Sequence, residues 1–287
     1  MTHVMACIDN SQSSLAVCDY AAWAAQKLDA PLTLLHVLDE EKYPAAADLS
    51  GNIGLGSREH LLEELATLDA QRARLALEQG QHTLEKARER TVIAGAAFPE
   101  MKQRHGHLVE SLSELEKEIR LLVIGRLGED STRGAQSLGS QIEAVVRTIH
   151  RPILVTASSY KKPEKVMLAF DGSPTAYKTV EMLAASQPAS QLCEGLPIHL
   201  VMVGTDSGDN REALDKARSM LLTSGFVVHA EIRQGEVEMA LHAYQAEHAI
   251  VLLVMGAYGQ SRIRQFLVGS TTTTMLRTAT MPVLLLR

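Results

Sequence analysis

The chain has 287 residues, of which 46% are hydrophobic and 22% charged, which suits a globular protein with a sizeable core and about two domains. Its formal net charge of -6 gives no electrostatic reason to expect nucleic acid or an anionic membrane as a partner. The first residues lack a basic segment followed by an apolar one, and no apolar stretch approaches the roughly 18 residues of a membrane span, so we expect a cytoplasmic protein without a membrane partner.

The first predicted elements are two buried strands. HVMACID ends at Asp9 and leads into a serine-containing turn, and LTLLHV ends at Val37. Residues 57–90 then predict a long amphipathic helix with a solvated, charged face. Two later segments, LLVIGRLG and RPILVT, are continuous runs of Val, Ile and Leu. Such runs are typical of strands that a parallel sheet covers on both faces.

The second part of the chain repeats this pattern. KVMLAFD parallels HVMACID, IHLVMV parallels LTLLHV, RQGEVEMAL parallels RHGHLVESL, LLVMGAYG parallels LLVIGRLG, and MPVLLL parallels RPILVT. A duplicated pattern defines the domain count. We therefore expect one domain in residues 1–157 and a second in residues 163–287, separated by the polar, proline-containing segment near ASSYKKPE.

Strands and helices alternate in each half, which predicts an α/β fold with a parallel, doubly wound sheet. One of these helices, residues 211–225, is closed by a C-cap glycine. In such sheets ligands bind outside the carboxyl ends of the strands, where the strand order reverses. Asp171, Val203 and Gly256 all lie at predicted strand ends. We therefore expect them to line one crevice.

A glycine and threonine motif, GAYGQSRIRQFLVGSTTTT, begins at the end of one of these strands. Gly256 and Gly259 would let the backbone turn tightly beneath an anion, and Gly269 would open a helix whose unpaired N–H groups face that anion. Four consecutive threonines are poor helix formers, so hydroxyls that bond a ligand explain them better. The alternative is that the glycines serve only turns and packing. Neither GxxxxGK[ST] nor a complete GxGxxG is present.

The spacing of this motif, Gly, two residues, Gly, nine residues, Gly-Ser-Thr, resembles the nucleotide-binding motif of the universal stress protein family. The strands that end at Asp171 and Val203, the motif, and the terminal MPVLLLR occur in that family's order, and the first half resembles a more divergent copy. The resemblance implies two flavodoxin-like (Rossmann-like) domains with mainly parallel five-stranded sheets, related by a pseudo-twofold axis. PILVT and PVLLL would meet between the halves, so that one chain imitates a dimer.

The resemblance also implies an adenine-nucleotide site in the second half, with ATP as the ligand and Mg²⁺ as the companion of its phosphates. Asp171 and Val203 would flank the adenine and ribose. The other implied contacts are Ala169 and Phe170 through nearby backbone groups, Met255 and Gly256 beneath the nucleoside, Tyr258 over the pocket, and Gly259, Gly269, Ser270, Thr271 and Thr272 at the phosphates.

The first half departs from this motif. Its corresponding residues are Asp9, Val37, Gly125, Gly128, Gly139 and Ser140. Ten residues rather than nine separate its last two glycines, and SQIEAV replaces STTTTM. Glu143 would place a carboxylate near a polyphosphate, and like charges at a helix terminus repel. We expect this first site to be weak, empty or adapted to another ligand.

Candidate catalytic groups are few. The three cysteines show no CxxC spacing, Cys18 has no nearby histidine, and neither a GxSxG elbow nor a kinase catalytic loop is present. We therefore expect a sensor or switch with slow or no hydrolysis, and the family resemblance implies that it serves a stress response. Two alternatives remain open: an ATP hydrolase or transferase that uses Mg²⁺ and Asp171, and a non-nucleotide ligand-binding or scaffold protein. A further homodimer is also open.

Overall fold

The computed structural model describes residues 2–39, 57–128, 140–185, 188–257 and 270–287, with the backbone alone at residues 57–63, 140, 270 and 271. The strands of the first half are β1 (His3–Cys7), β2 (Leu32–Leu38), β3 (Glu100–His105), β4 (Ile119–Gly125) and β5 (Ile153–Thr156). Its helices are α1 (Ser14–Leu28), α2 (Ser57–Ile93), α3 (Leu108–Leu115), followed by a 3₁₀ turn, and α4 (Ser140–Thr148).

The second half repeats this order with one additional helix. Its strands are β6 (Val166–Ala169), β7 (Ile198–Val203), β8 (Val228–Arg233), β9 (Leu252–Gly256) and β10 (Val283–Leu286). Its helices are α5 (Pro174–Ala184), α6 (Pro188–Cys193), α7 (Gly208–Thr223), α8 (Val237–His248) and α9 (Ser270–Thr278). The sequence repeat does not predict α6, which begins at Pro188; proline suits the first position of a helix because its φ is preset and its missing N–H would have no partner in the helix.

All ten strands form one sheet in the order β3-β2-β1-β4-β5-β10-β9-β6-β7-β8. Every neighbouring pair is parallel except β5 and β10, which are antiparallel, with Leu154 opposite Leu284. Each half is thus a doubly wound, five-stranded parallel sheet, as predicted. The two halves join edge to edge through the two strands that the resemblance paired. The strand order reverses between β1 and β4 and again between β6 and β9.

The repeat extends to the turns between elements. Arg104 on β3 is paired with Val37 on β2, and Arg233 on β8 is paired with the equivalent Val203 on β7. Two residues later Gly106 has φ +120° and Gly235 has φ +123°. A side chain would strain either backbone, so the same turn requires glycine in both halves.

Two apolar clusters cover the two faces of the sheet. Residues on one face, such as Leu121 and Val123, pack against α1, α2, α5, α6 and α7. Their neighbours Leu122 and Ile124 pack on the other face against α3, α4, α8 and α9. Both clusters contain residues of both halves, so the core is continuous across the β5–β10 junction. In the described residues no helix has the length and apolarity that crossing a bilayer requires.

The segment between the halves is held against α1. The hydroxyl of Tyr20 bonds both the amide and the carbonyl of Lys161, and its ring packs edge-on against Tyr160 at 4.8 Å between centroids. Lys27 of α1 also donates to the carbonyl of Glu194 in the second half. These contacts connect the two halves beyond the shared sheet.

Candidate functional site

The turn that follows β6 brings Asp171 to the surface at a point where the strand order reverses. The amide of Phe170 still donates to the carbonyl of Val201, at 2.9 Å, and Asp171 is exposed. Gly172 has φ +73°, a conformation that favours glycine, and turns the chain toward α5. Ser173 caps that helix by accepting from the amide of Ala176 at 3.2 Å.

This geometry assigns capping of α5 to Ser173 rather than to Asp171. Pro174 occupies the first helical position, where the fixed φ and the missing N–H of proline are tolerated. Asp171 closes the turn, because its Oδ1 accepts from the amide of Ser173 at 3.0 Å. Within the described part of the chain, this is the carboxylate's one hydrogen bond. Asp171 can therefore accept further hydrogen bonds from a ligand.

Phe170 and Ala169 offer a ligand little side-chain surface. The ring of Phe170 is 3% exposed and meets Tyr177 edge-on at 5.1 Å. The side chain of Ala169 is partly buried against the cluster on the opposite face of the sheet. Contacts from these two residues to a nucleotide would thus come from the backbone, as the resemblance implies.

Gly256 allows α5 to approach the end of β9. A Cβ atom on Gly256 would lie 2.8 Å from both Thr175 Cγ2 and Thr179 Oγ1. Glycine is required here for packing, whatever else it does. Because β6 and β9 are paired neighbours, this close approach keeps the Asp171 turn beside the end of β9. Met255, which precedes Gly256, is 6% exposed and belongs to the core.

Val203 ends β7 at the same edge of the sheet and is partly buried. The following loop is fixed by hydrogen bonds: Gly204 donates to the carbonyl of Arg233, and the side chain of Asn210 donates to the carbonyl of Thr205 at 2.8 Å. Val203 is therefore an apolar residue at a strand end, next to a loop that hydrogen bonds hold in place.

The helix α9 begins at the same edge. Parallel strands β9 and β10 are connected through α9, so the helix starts at their carboxyl ends and returns to their amino ends. Thr272 in its first turn is 7% exposed, and Met275 and Leu276 pack in the core. Tyr258, Gly259 and Gly269 lie outside the described residues, as do the side chains of Ser270 and Thr271.

The equivalent turn of the first half is closed on itself. Oδ1 of Asp9 accepts from the amide of Ser11 at 3.0 Å, lies 2.5 Å from Ser11 Oγ, and lies 2.7 Å from Ser14 Oγ. Ser11 Oγ also lies 3.3 Å from the carbonyl of Leu127 on the loop after β4. Asp9 is therefore already engaged by protein donors. The sequence already contains the cause of this difference, because Ser14 of the first half corresponds to Ala176 of the second, which has no hydroxyl.

The described residues include no evident nucleophile or metal centre. Burial raises the pKa of the thiols of Cys7, Cys18 and Cys193 to about 12, which leaves them protonated near neutral pH. Across the described ranges, no group of three or more His, Cys, Asp or Glu side chains is arranged to hold a metal ion.

Comparison with known proteins accounts for this doubled architecture. The sequence model of the universal stress protein family matches twice, at residues 1–157 and 163–287. The chain belongs to the universal stress protein family. A universal stress protein of Synechocystis sp. is 34% identical over 291 residues, covering 100% of both chains. One from Mycolicibacterium smegmatis is 25% identical over 299 residues, covering 98% of this chain and 95% of the relative.

A solved structure shows the same fold. The crystal structure of a universal stress protein from Archaeoglobus fulgidus superimposes with a TM-score of 0.71 at 20% identity, and the match covers 99% of this chain and 98% of that one. This universal stress protein therefore contains two versions of one family domain, and the turns at Asp9 and Asp171 are equivalent positions that differ in what they leave available.

Proposed function

We propose that this universal stress protein binds one adenine nucleotide, ATP with Mg²⁺, in its second half and acts as a sensor or switch in a stress response. The observation that carries the proposal is the contrast between the two equivalent carboxylates. Asp171 is exposed and accepts one hydrogen bond in the described residues, whereas Asp9 is engaged by two serines. Oδ1 of Asp9 is thus engaged by protein donors, whereas Asp171 retains more capacity to accept hydrogen bonds from a ligand.

The residues of the second crevice fit such a ligand. A carboxylate accepts hydrogen bonds from ribose hydroxyls, and Asp171 has that capacity. Val203 offers an apolar surface for a base, and the amino end of α9 provides the unpaired backbone N–H groups that bind phosphate. Since no protein metal cluster occurs in the described ranges, the phosphates and water would be the main ligands of Mg²⁺.

We expect slow turnover. Asp171 supplies the one carboxylate of the described crevice residues, and none of them is a histidine or a cysteine. These residues are Ala169, Phe170, Asp171, Val203, Met255, Gly256 and Thr272. Hydrolysis needs a group that positions or deprotonates a water molecule. ATP occupancy, rather than ATP consumption, would then carry the signal.

Calorimetric titration of MgATP tests the proposal. We expect about one equivalent to bind the wild type, and Gly269→Val to abolish binding because a branched side chain would fill the space for phosphate. Gly139→Val is the matched control in the first half and should leave binding unchanged. No binding to the wild type would favour a non-nucleotide ligand. Steady turnover that is lost in Asp171→Asn would instead favour a hydrolase or transferase.

A further inference from the structure

An arginine of the first half caps the helix that forms the phosphate end of the proposed site. Arg126 follows the last residue of β4, and its Nη1 donates to the carbonyls of Arg277, at 3.3 Å, and Ala279. Both carbonyls lie at the carboxyl end of α9. Burial lowers the pKa of Arg126, but an arginine side chain remains charged at any physiological pH. The contact is therefore a charge-assisted cap between the halves.

A second arginine does the same at the mirrored helix. Arg287 follows β10 and donates to carbonyls at the carboxyl end of α4, those of Val146, Arg147 and Ile149. The two arginines are not repeats of one another. Ala257 occupies the position of Arg126 in the second half, and Ala157 follows β5 where Arg287 follows β10.

The antiparallel junction of β5 and β10 explains why these contacts cross between halves. It places the carboxyl edge of the first half beside the amino edge of the second, and α9 ends at that amino edge. An ion pair 3.4 Å long between Glu143 of α4 and Arg277 of α9 spans the same boundary. Each helix is thus held at its end by the opposite half.

The cap matters for α9 because this helix is short and its own sequence supports it weakly. It has nine residues, and four threonines occupy positions 271–274. The last carbonyls of a helix have no partners within it, and a positive charge there is favourable. The placement of α9 therefore depends on the buried Met275 and Leu276 and on Arg126 at its end.

We propose that Arg126 is a positioning residue for the nucleotide site of the second half: it holds the carboxyl end of α9 and so fixes the amino end that faces the phosphates. This inference rests on the proposed function. On the first-half side, Ser11 Oγ bonds Asp9 and also lies 3.3 Å from the carbonyl of Leu127, the residue that follows Arg126.

Arg126→Gln and Arg287→Gln form a matched pair for the test, since each removes one helix cap between the halves. In calorimetry with MgATP, we expect Arg126→Gln to weaken binding about tenfold, the effect of losing one charge-assisted hydrogen bond. Both variants should lower the thermal unfolding temperature to a similar extent, because each loses one helix cap. Arg287→Gln should leave the affinity for MgATP within about twofold of that of the wild type. Arg126→Lys, which keeps the charge without the planar fork, should give an intermediate affinity.

Hydrogen exchange of the ligand-free proteins provides a readout that is independent of nucleotide. Arg126→Gln should accelerate exchange in the peptide that contains α9, and Arg287→Gln in the peptide that contains α4. Unchanged exchange in α9 overturns the inference, and so does equal loss of affinity in both variants. If the wild type binds no MgATP, the proposed function fails, and the exchange pattern alone then decides whether Arg126 holds α9.

Discussion

Asp9 and Asp171 illustrate how one residue type at equivalent positions has two different uses. Asp9 satisfies the donors of a turn that is partly buried, so its carboxylate contributes to the stability of the fold. Among the described residues Asp171 accepts one backbone hydrogen bond, at an exposed turn, so the fold depends on it less. The hydroxyl of Ser14, which Ala176 lacks, accounts for much of this difference.

Alanine substitution at these two aspartates should therefore have opposite consequences. Asp9→Ala should lower the free energy of unfolding by about 1–3 kcal/mol, because it leaves turn donors without an acceptor, and should leave MgATP affinity nearly unchanged. Asp171→Ala should change stability by no more than about 0.5 kcal/mol and weaken MgATP binding. Urea unfolding and calorimetry of both variants check this. A larger stability loss at Asp171 than at Asp9 would contradict our interpretation of the two turns.

At the scale of elements, a cluster of aromatic rings joins β7, β8 and α8. His199 on β7 is 7% exposed, and its Nδ1 lies 2.8 Å from the hydroxyl of Tyr244 on α8. The rings of His229 and His248 lie 5.1 and 5.2 Å from the ring of His199. Burial raises the pKa of Tyr244 to about 12, so its hydroxyl stays protonated near neutral pH.

The environment of His199 favours its neutral form. Burial lowers its pKa from 6.5 to about 4, and the neighbouring His229, His248 and Lys165 act in the same direction. The further charged groups around this cluster are Glu231, Arg233 and Glu247. Below pH 6.5 the unfolded chain takes up a proton at His199 that the folded chain does not, so the stabilisation present at neutral pH is lost as the pH falls toward 4.

We expect the wild type to lose about 2 kcal/mol of folding stability at His199 between pH 7 and pH 5. His199→Gln keeps both a donor and an acceptor for the hydroxyl of Tyr244 and does not titrate, so the variant should lose correspondingly less stability over the same interval. Urea denaturation midpoints of both proteins at the two pH values measure the difference. Equal losses in the two proteins would show that His199 titrates normally in the folded state.

The same scale shows what sequence patterns can and cannot predict. The strand ends at Val203 and Gly256, and the strand that ends two residues before Asp171, follow from apolar runs and strand alternation, because these signals are local. The sequence does not predict the contacts of Arg126 and Ser11, because their partners are distant along the chain. Arg126 is separated from Ala279 by 153 residues, and Ser11 from Leu127 by 116. No local pattern marks such contacts, since they exist only once the sheet has formed.

For the whole molecule, the antiparallel junction has two consequences. The two apolar clusters cross it, so the halves share one core on each face of a ten-stranded sheet. It also points the carboxyl ends of the two sets of parallel strands in opposite directions, which places the two crevices at opposite edges of the sheet. The Asp9 carboxylate bonds two serines, whereas the Asp171 carboxylate accepts one hydrogen bond among the described residues, and the proposed function therefore assigns the nucleotide to the second crevice alone.

A crystal structure of the protein grown with saturating MgATP tests this asymmetry most directly. We predict electron density for one nucleotide, beside Asp171 at the carboxyl ends of β6 and β9, with its phosphates at the amino end of α9 and with the Asp9 turn closed as described. A nucleotide bound beside Asp9, or two crevices that both remain without one, would contradict the account.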